Sequence, residues 1–194
     1  MNPFLTPPQQ DRLVLASRSP RRIEILRGLG FTFDVDPAPE HLEEENSHDD
    51  PFAVAEMLAV RKCEHVAGRR GSDRVIGADT IVVVDGHVLN KPRDDDEARA
   101  FVERLAGRTH TVVTGVAIRD RGRTRSGNER TQVTFRSLSV DDIARYVSTG
   151  EGRDKAGSYA AQGLGAGLIR RIDGCFFNVV GLPVSLLLDL MQQG

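Results

Sequence analysis

Ser17-Arg18-Ser19-Pro20-Arg21-Arg22 brings two small hydroxyls and a pair of guanidiniums together directly after the apolar run Leu13-Val14-Leu15-Ala16. Pro20 suits the first turn of a helix, where its missing N–H costs nothing. A strand that runs into a helix N-terminus offers backbone N–H groups and a partial positive charge to an anion. Arginine forks match phosphate oxygens bidentately, so the pattern points to a polyphosphate grip. There is no GKT or GKS, so this is not a Walker loop. The plain alternative is a serine cap followed by solvated charges, but arginine is poorly matched to a helix N-terminus unless an anion is present.

A second group lies in Gly77-Ala78-Asp79-Thr80, inside the apolar run Val75–Val84. A carboxylate there needs a cation, a metal or hydrogen-bond donors, because burying it alone costs several kcal/mol, on the order of 5. Asp79 is therefore a candidate base or magnesium ligand; the alternative is an aspartate near a sheet edge bonding backbone groups. Lys62 before this strand and Lys91 in Asn90-Lys91-Pro92 after it could converge with Arg21 and Arg22 into a basic pocket. The acidic stretch Glu40–Glu45 could add a metal ligand, or it could be a solvated charge run. Arg153–Gly163 is a glycine-rich polar stretch in which Gln162 offers an amide able to read a base edge. A linker is the alternative there, although long irregular loops inside compact domains are more often functional.

Several classes are disfavoured. His41, His48, His65, His87 and His110 form no HExxH or comparable metal pattern, and there is no GxSxG elbow. Cys63 and Cys175 are far apart and read as reduced thiols of a cytosolic protein. With 26 basic and 28 acidic residues among 194, the net charge is −2, so any anion site is local and a nucleic-acid partner is unexpected. No run approaches the roughly 20 apolar residues that span a bilayer. Residues 1–11, with Pro3, Pro7 and Pro8 and no basic start, are expected to form a disordered leader rather than a signal. Residues 12–194 are expected to form one domain, of one lobe or two, in the cytoplasm.

The elements that must position these groups follow from periodicity and turn chemistry. Strands are expected at Leu13–Ala16, Phe31–Val35, Val75–Val84, His87–Leu89, Thr109–Ile118, Arg130–Leu138, Leu168–Ile172 and Cys175–Val180. Helices are expected from Pro20 to about Leu29, over Ala53–Ala67 behind an Asp50-Pro51 cap, over Asp94–Leu105, after Ser139, and from Pro183 onward. Asp85-Gly86 reads as a hairpin turn, Arg119–Asn128 as a longer polar turn, and Gly152–Gly167 as irregular chain. The alternation argues for an α/β fold with a mixed sheet.

Taken together, LASRSPRR, LAVRKCEHVA, IGADTIVVVDGHVLNKP, THTVVTGVAI, DKAGSYAAQG and NVVGLPVSLL resemble the Maf-like family of nucleoside triphosphate pyrophosphatases, also described as septum-formation inhibitor proteins. The resemblance spans nearly the whole chain. It implies an elongated mixed β-sheet flanked by helices, with two lobes and a cleft between them, usually as a homodimer. It also implies hydrolysis of a nucleoside triphosphate to the monophosphate and pyrophosphate with a divalent cation, Mg²⁺ or Mn²⁺. The family's catalytic acidic residue falls on Asp79, and its specificity positions on Arg21, Thr80 and Gln162. Its phosphate-side residues fall on Ser17, Arg21, Arg22, Lys62 and Lys91, and its acidic-loop metal ligand on Glu44 beside Asp79. GADT with DKAGSYAAQG resembles the branch acting on dTTP and UTP. The competing expectation is a nucleotide- or DNA-binding regulator of septum formation without turnover, and a third is the same enzyme acting on a modified or purine nucleotide.

Overall fold

The computed structural model describes residues 2–6, 12–43, 50–71 and 73–193. In chain order these form β1 (Leu13–Leu15), α1 (Pro20–Gly28), β2 (Phe33–Val35), a 3-10 turn (Glu40–Glu43), α2 (Val54–Arg70), β3 (Arg74–Val84), β4 (His87–Leu89), α3 (Asp95–Leu105), β5 (Thr109–Asp120) and β6 (Arg123–Phe135). Then come α4 (Val140–Ser148), 3-10 turns at Ala156–Ser158 and Gly163–Leu168, β7 (Ile169–Asp173), α5 (Phe176–Val180) and α6 (Val184–Gln192). The seven strands make one mixed sheet in the order β2-β1-β3-β5-β6-β7, with β4 paired to β3. β1 runs parallel to β2 and β3, aligning Leu15 with Val35 and Ile76. β3 with β4 and β6 with β7 are antiparallel. This is the expected α/β class.

The chain divides into two compact units. The first comprises Met1–Asp79, Thr114–Glu129 and Gly181–Gly194; the second comprises Thr80–Val113 and Arg130–Val180. In the first, the continuous apolar run of β1 is buried on both sides. Leu13 and Leu15 join a cluster with Leu26, Ile76, Leu187 and Met191, while Val14 and Ala16 join Ala59, Cys63 and Val66. That division is what a pleated strand with helices on both faces requires. The core of the second unit gathers Val82, Val102, Leu105, Val133, Phe135 and Tyr159.

Turn chemistry behaves as expected at Asp85-Gly86, where both residues have left-handed φ, 51° and 74°. The same geometry recurs at Arg121-Gly122, with φ of 47° and 79°. The hairpin is therefore tight, and the polar stretch Arg123–Asn128, expected as part of a turn, is strand. Ser139 caps α4 in a full capping box with Asp142, and Asp94 caps α3 by accepting from the Glu97 N–H. Asp50 does not cap α2. Its carboxylate accepts from the Phe52 N–H at 2.8 Å in a local turn, and the helix begins after Ala53.

Two further expectations are corrected. Cys175–Val180, β-branched and aromatic, is expected as a strand, but Phe176–Val180 is helical. Tertiary bonds override the propensity: the Asn178 amide donates to Val112 O at 3.1 Å and to Thr131 Oγ1 at 2.8 Å. The same Thr131 hydroxyl accepts from the Cys175 N–H at 3.1 Å. The disordered leader does not fit residues 2–6. Asn2 and Leu5 are buried, Asn2 Nδ2 donates to Leu29 O, and Gln192 Nε2 donates to Phe4 O. Met1 and residues 7–11 lie outside the described residues.

Candidate active site

Chain leaving β1 carries the Ala16 N–H to Ile76 O at 2.8 Å and then turns into α1. Ser19 occupies the cap position in extended conformation without a side-chain cap bond, Pro20 follows, and no acidic residue lies in the first turn. The hydroxyl of buried Ser17 instead accepts from the Ser19 N–H at 3.2 Å and from Arg22 Nη1 at 3.1 Å. Arg22, also buried, donates from Nη1 to Ala78 O and from Nε to Gly181 O, each at 2.8 Å. One guanidinium thus ties the serine turn to the residue immediately before Asp79. Arg21 lies half-buried on the same turn.

Asp79 and Lys62 meet as a buried ion pair, Nζ to Oδ1 at 2.5 Å, with both side chains about a tenth exposed (7% and 11%). Two glycines make the meeting possible. A Cβ on Gly77 would lie 2.3 Å from Ala59 O, and one on Gly115 would lie 2.3 Å from Ala55 O. Helix α2 therefore lies directly on the backbones of β3 and β5, closer than any side chain allows. From that seat Lys62 reaches Asp79. One residue further along α2, the Cys63 thiol is pushed up to about 12 by burial and donates to Val75 O, which fits an inert buried thiol.

The other expected site residues belong to the second unit. Thr80 is the one residue of β3 that is not buried. Lys91 and Gln162 are exposed. Their two segments are joined, because the Gly157 N–H donates to Asn90 O at 3.2 Å. Gly157, with φ +67°, also sits so close to Val82 that a Cβ would meet its side chain at 2.9 Å. Glu44 lies outside the described residues; within the acidic stretch, Glu40 pairs with Arg18 at 3.1 Å, both exposed.

Among the described residues, no group of three or more His, Cys, Asp or Glu is arranged to hold a metal. A magnesium site needs no such cage, since one or two carboxylates with water and substrate phosphates suffice. Asp79 fits that requirement through Oδ2, the oxygen that Lys62 does not take.

Sequence reasoning missed the supports around Gln162. His110 Nε2 and Tyr159 Oη meet at 2.8 Å in the core, where both rings pack edge-on with Phe135. Glu151 and Tyr146 brace the chain on either side of Gln162. A tyrosine inside a polar, glycine-rich run is the signal that could have exposed this anchoring.

The fold is a mixed α/β sheet in which a helix N-terminus carrying serine and arginine is tied by Arg22 to the residue before Asp79, itself paired with Lys62. The chain belongs to the Maf-like protein family, whose model matches residues 12–194. Among similar proteins, dTTP/UTP pyrophosphatase of Symbiobacterium thermophilum is 47% identical over 183 residues, covering 94% of each chain. The dTTP/UTP pyrophosphatase of Bacillus pumilus is 43% identical over 183 residues, covering 94% of this chain and 96% of its own. That of Pyrococcus abyssi is 43% identical over 182 residues with the same coverage. Among solved structures, the Staphylococcus aureus Ham1 protein is similar at 15% identity with a TM-score of 0.48, over 81% of this chain and 79% of its own.

Proposed function

We propose that the protein hydrolyses nucleoside triphosphates, dTTP and UTP foremost, to the monophosphate and pyrophosphate, clearing the nucleotide pool. The observation that carries this is the Arg22 bridge from Ser17 Oγ to Ala78 O, which ties the serine–arginine turn to the residue before Asp79. Relatives more than 40% identical over nearly the whole chain are named dTTP/UTP pyrophosphatases.

The residues divide the work by chemistry. Ser17 and the first turn of α1, with Arg21, receive phosphate oxygens, while Arg22 holds the turn in place. Lys62 fixes the Asp79 carboxylate in one orientation through Oδ1. Asp79 then orients a water and takes its proton as the water oxygen bonds to phosphorus at the α–β bridge. The bridging P–O bond breaks and its electrons leave with pyrophosphate, whose charge Lys91 and the arginines offset. When bound to Asp79, with Glu44 as the proposed second ligand, Mg²⁺ or Mn²⁺ would neutralise phosphate charge. Thr80 and Gln162 supply donors and acceptors to the pyrimidine edge.

The enzyme is proposed to work in the cytoplasm as a homodimer. Among the described residues no helix is long and apolar enough to cross a membrane. The test is pyrophosphate release from a panel of canonical and modified triphosphates with Mg²⁺ or Mn²⁺, wild type beside Asp79→Asn. Release should be fastest from dTTP and UTP, and Asp79→Asn should lower kcat at least about a hundredfold. No release from either nucleotide removes the substrate assignment, and an active Asp79→Asn removes the catalytic role.

A further inference from the structure

The stretch Gly152–Gly167, which carries Gln162, contains only two 3-10 turns, yet it is tightly folded on itself. A Cβ on Gly152 would lie 2.1 Å from Ser158 O. One on Gly165 would lie 2.2 Å from Ala160 O and 2.8 Å from Tyr146 Oη. Such approaches hold only if something fixes the chain.

The fixing group is the Glu151 carboxylate. Its Oε1 accepts from the Leu164 N–H at 2.8 Å, and its Oε2 accepts from the Gly165 N–H at 2.7 Å. The Tyr146 hydroxyl donates to the same Oε2 at 3.1 Å and accepts from the Ala160 N–H at 3.2 Å. Gln162 therefore sits between Ala160 and Leu164, both tied to one connected network. Bonds from backbone N–H groups to a carboxylate are among the stronger kinds. Glu151 is itself held, since its N–H donates to Thr149 Oγ1 and its carbonyl accepts from Lys155 Nζ. Tyr146 is anchored in turn by its ring, which is buried in the core of the second unit. Gly163, with φ +70°, passes so close that a Cβ there would lie 2.4 Å from Glu151 Oε1.

We infer that Glu151 is a positioning residue for base selection, presenting Gln162 to the pyrimidine without touching the nucleotide itself. Uracil and thymine each show two carbonyl acceptors flanking one N–H. An amide matches such an edge only if its own backbone is fixed, because a mobile amide accepts many edges. The inference rests on the reading that Gln162 meets the base.

The experiment measures kcat and KM for dTTP, UTP and dCTP in wild type, Glu151→Ala, Tyr146→Phe, Gln162→Ala and Glu151→Ala/Gln162→Ala. Glu151→Ala should raise KM for dTTP and UTP about tenfold, change kcat less than about threefold, and lower the preference over dCTP as Gln162→Ala does. The double variant should be no worse than Gln162→Ala alone, since both changes remove the same interaction. Tyr146→Phe keeps the ring in the core and should show the same selectivity change more weakly, so it carries the test if Glu151→Ala does not fold. Unchanged selectivity in these variants, or losses that add in the double variant, overturns the positioning role. A wild type inactive on dTTP and UTP overturns the proposed reaction instead, and an active wild type whose selectivity ignores Gln162 overturns the base-reading step.

Discussion

His110 shows how one side chain couples core packing to pH. Only 2% exposed, it has its pKa pushed down from 6.5 to about 4 by burial, and Tyr159 Oη is its hydrogen-bond partner. The native state therefore keeps His110 neutral while the unfolded chain takes up a proton below pH 6.5. Stability from this group is fully present above that pH and is lost as pH falls toward 4, by roughly 2 to 3 kcal/mol at most. Thermal unfolding of wild type between pH 7 and pH 4.5 should show a falling midpoint, and His110→Gln should flatten that slope. An equal slope in the variant would assign the acid sensitivity elsewhere. Asp36 acts in a lower window. The guanidiniums of Arg69 and Arg70 hold it at about 2, so its contribution is lost only as pH falls below the ordinary carboxylate range.

At the scale of elements, α2 is the member that builds the centre. Its seat on Gly77 and Gly115 leaves no room for a β-carbon, whereas Gly68 in the same helix meets nothing within 4 Å. Gly68→Ala should therefore stabilise by about 0.5–1 kcal/mol through lower unfolded-chain entropy and better helix propensity. Gly77→Ala should destabilise by about 1–3 kcal/mol, because the overlap is with the backbone oxygen of Ala59 and cannot be relieved by a rotamer. It should also lower kcat, since a displaced α2 carries Lys62 away from Asp79. Paired denaturant melts and turnover measurements check both arms; full activity in Gly77→Ala would disconnect the helix seat from catalysis.

At the scale of the whole molecule, the balance of 26 basic and 28 acidic residues leaves no general affinity for a polyanion, which weighs against the DNA-binding alternative. Charge is instead local, in the Ser17–Arg22 turn. Asp79 beside a lysine is a weak cation site by itself, so the proposed cation depends on Glu44 and substrate phosphates for its other ligands. Stripping divalent ions with EDTA should abolish pyrophosphate release, and added Mg²⁺ or Mn²⁺ should restore it. Chelation should leave the melting temperature nearly unchanged, because no described cluster holds a structural metal. A large drop in melting temperature would instead indicate a metal that supports the fold.

Much of this was legible in the amino-acid sequence, because it is written in local physics. The apolar run of β1, the Asp85-Gly86 turn, the Ser139 and Asp94 caps, and an aspartate inside a buried strand each depend on a few neighbouring residues. The serine–arginine turn and Asp79 could be singled out for the same reason. Phe176–Val180 was not legible, since a helix there depends on Thr131 and Val112, distant in sequence. Nor was the tight β5–β6 hairpin, whose polar strand residues are satisfied by partners such as Glu56, which accepts from Ser126 and Asn128. The sequence by itself determined which side chains could grip phosphate, and the order of nearly every element. Only the tertiary structure decided that Lys62 closes on Asp79, that Arg22 joins the Ser17 hydroxyl to the carbonyls of Ala78 and Gly181, and that Glu151 braces Gln162. Each of those contacts joins residues whose meeting depends on how closely separate backbones pack, and packing distance has no local signature.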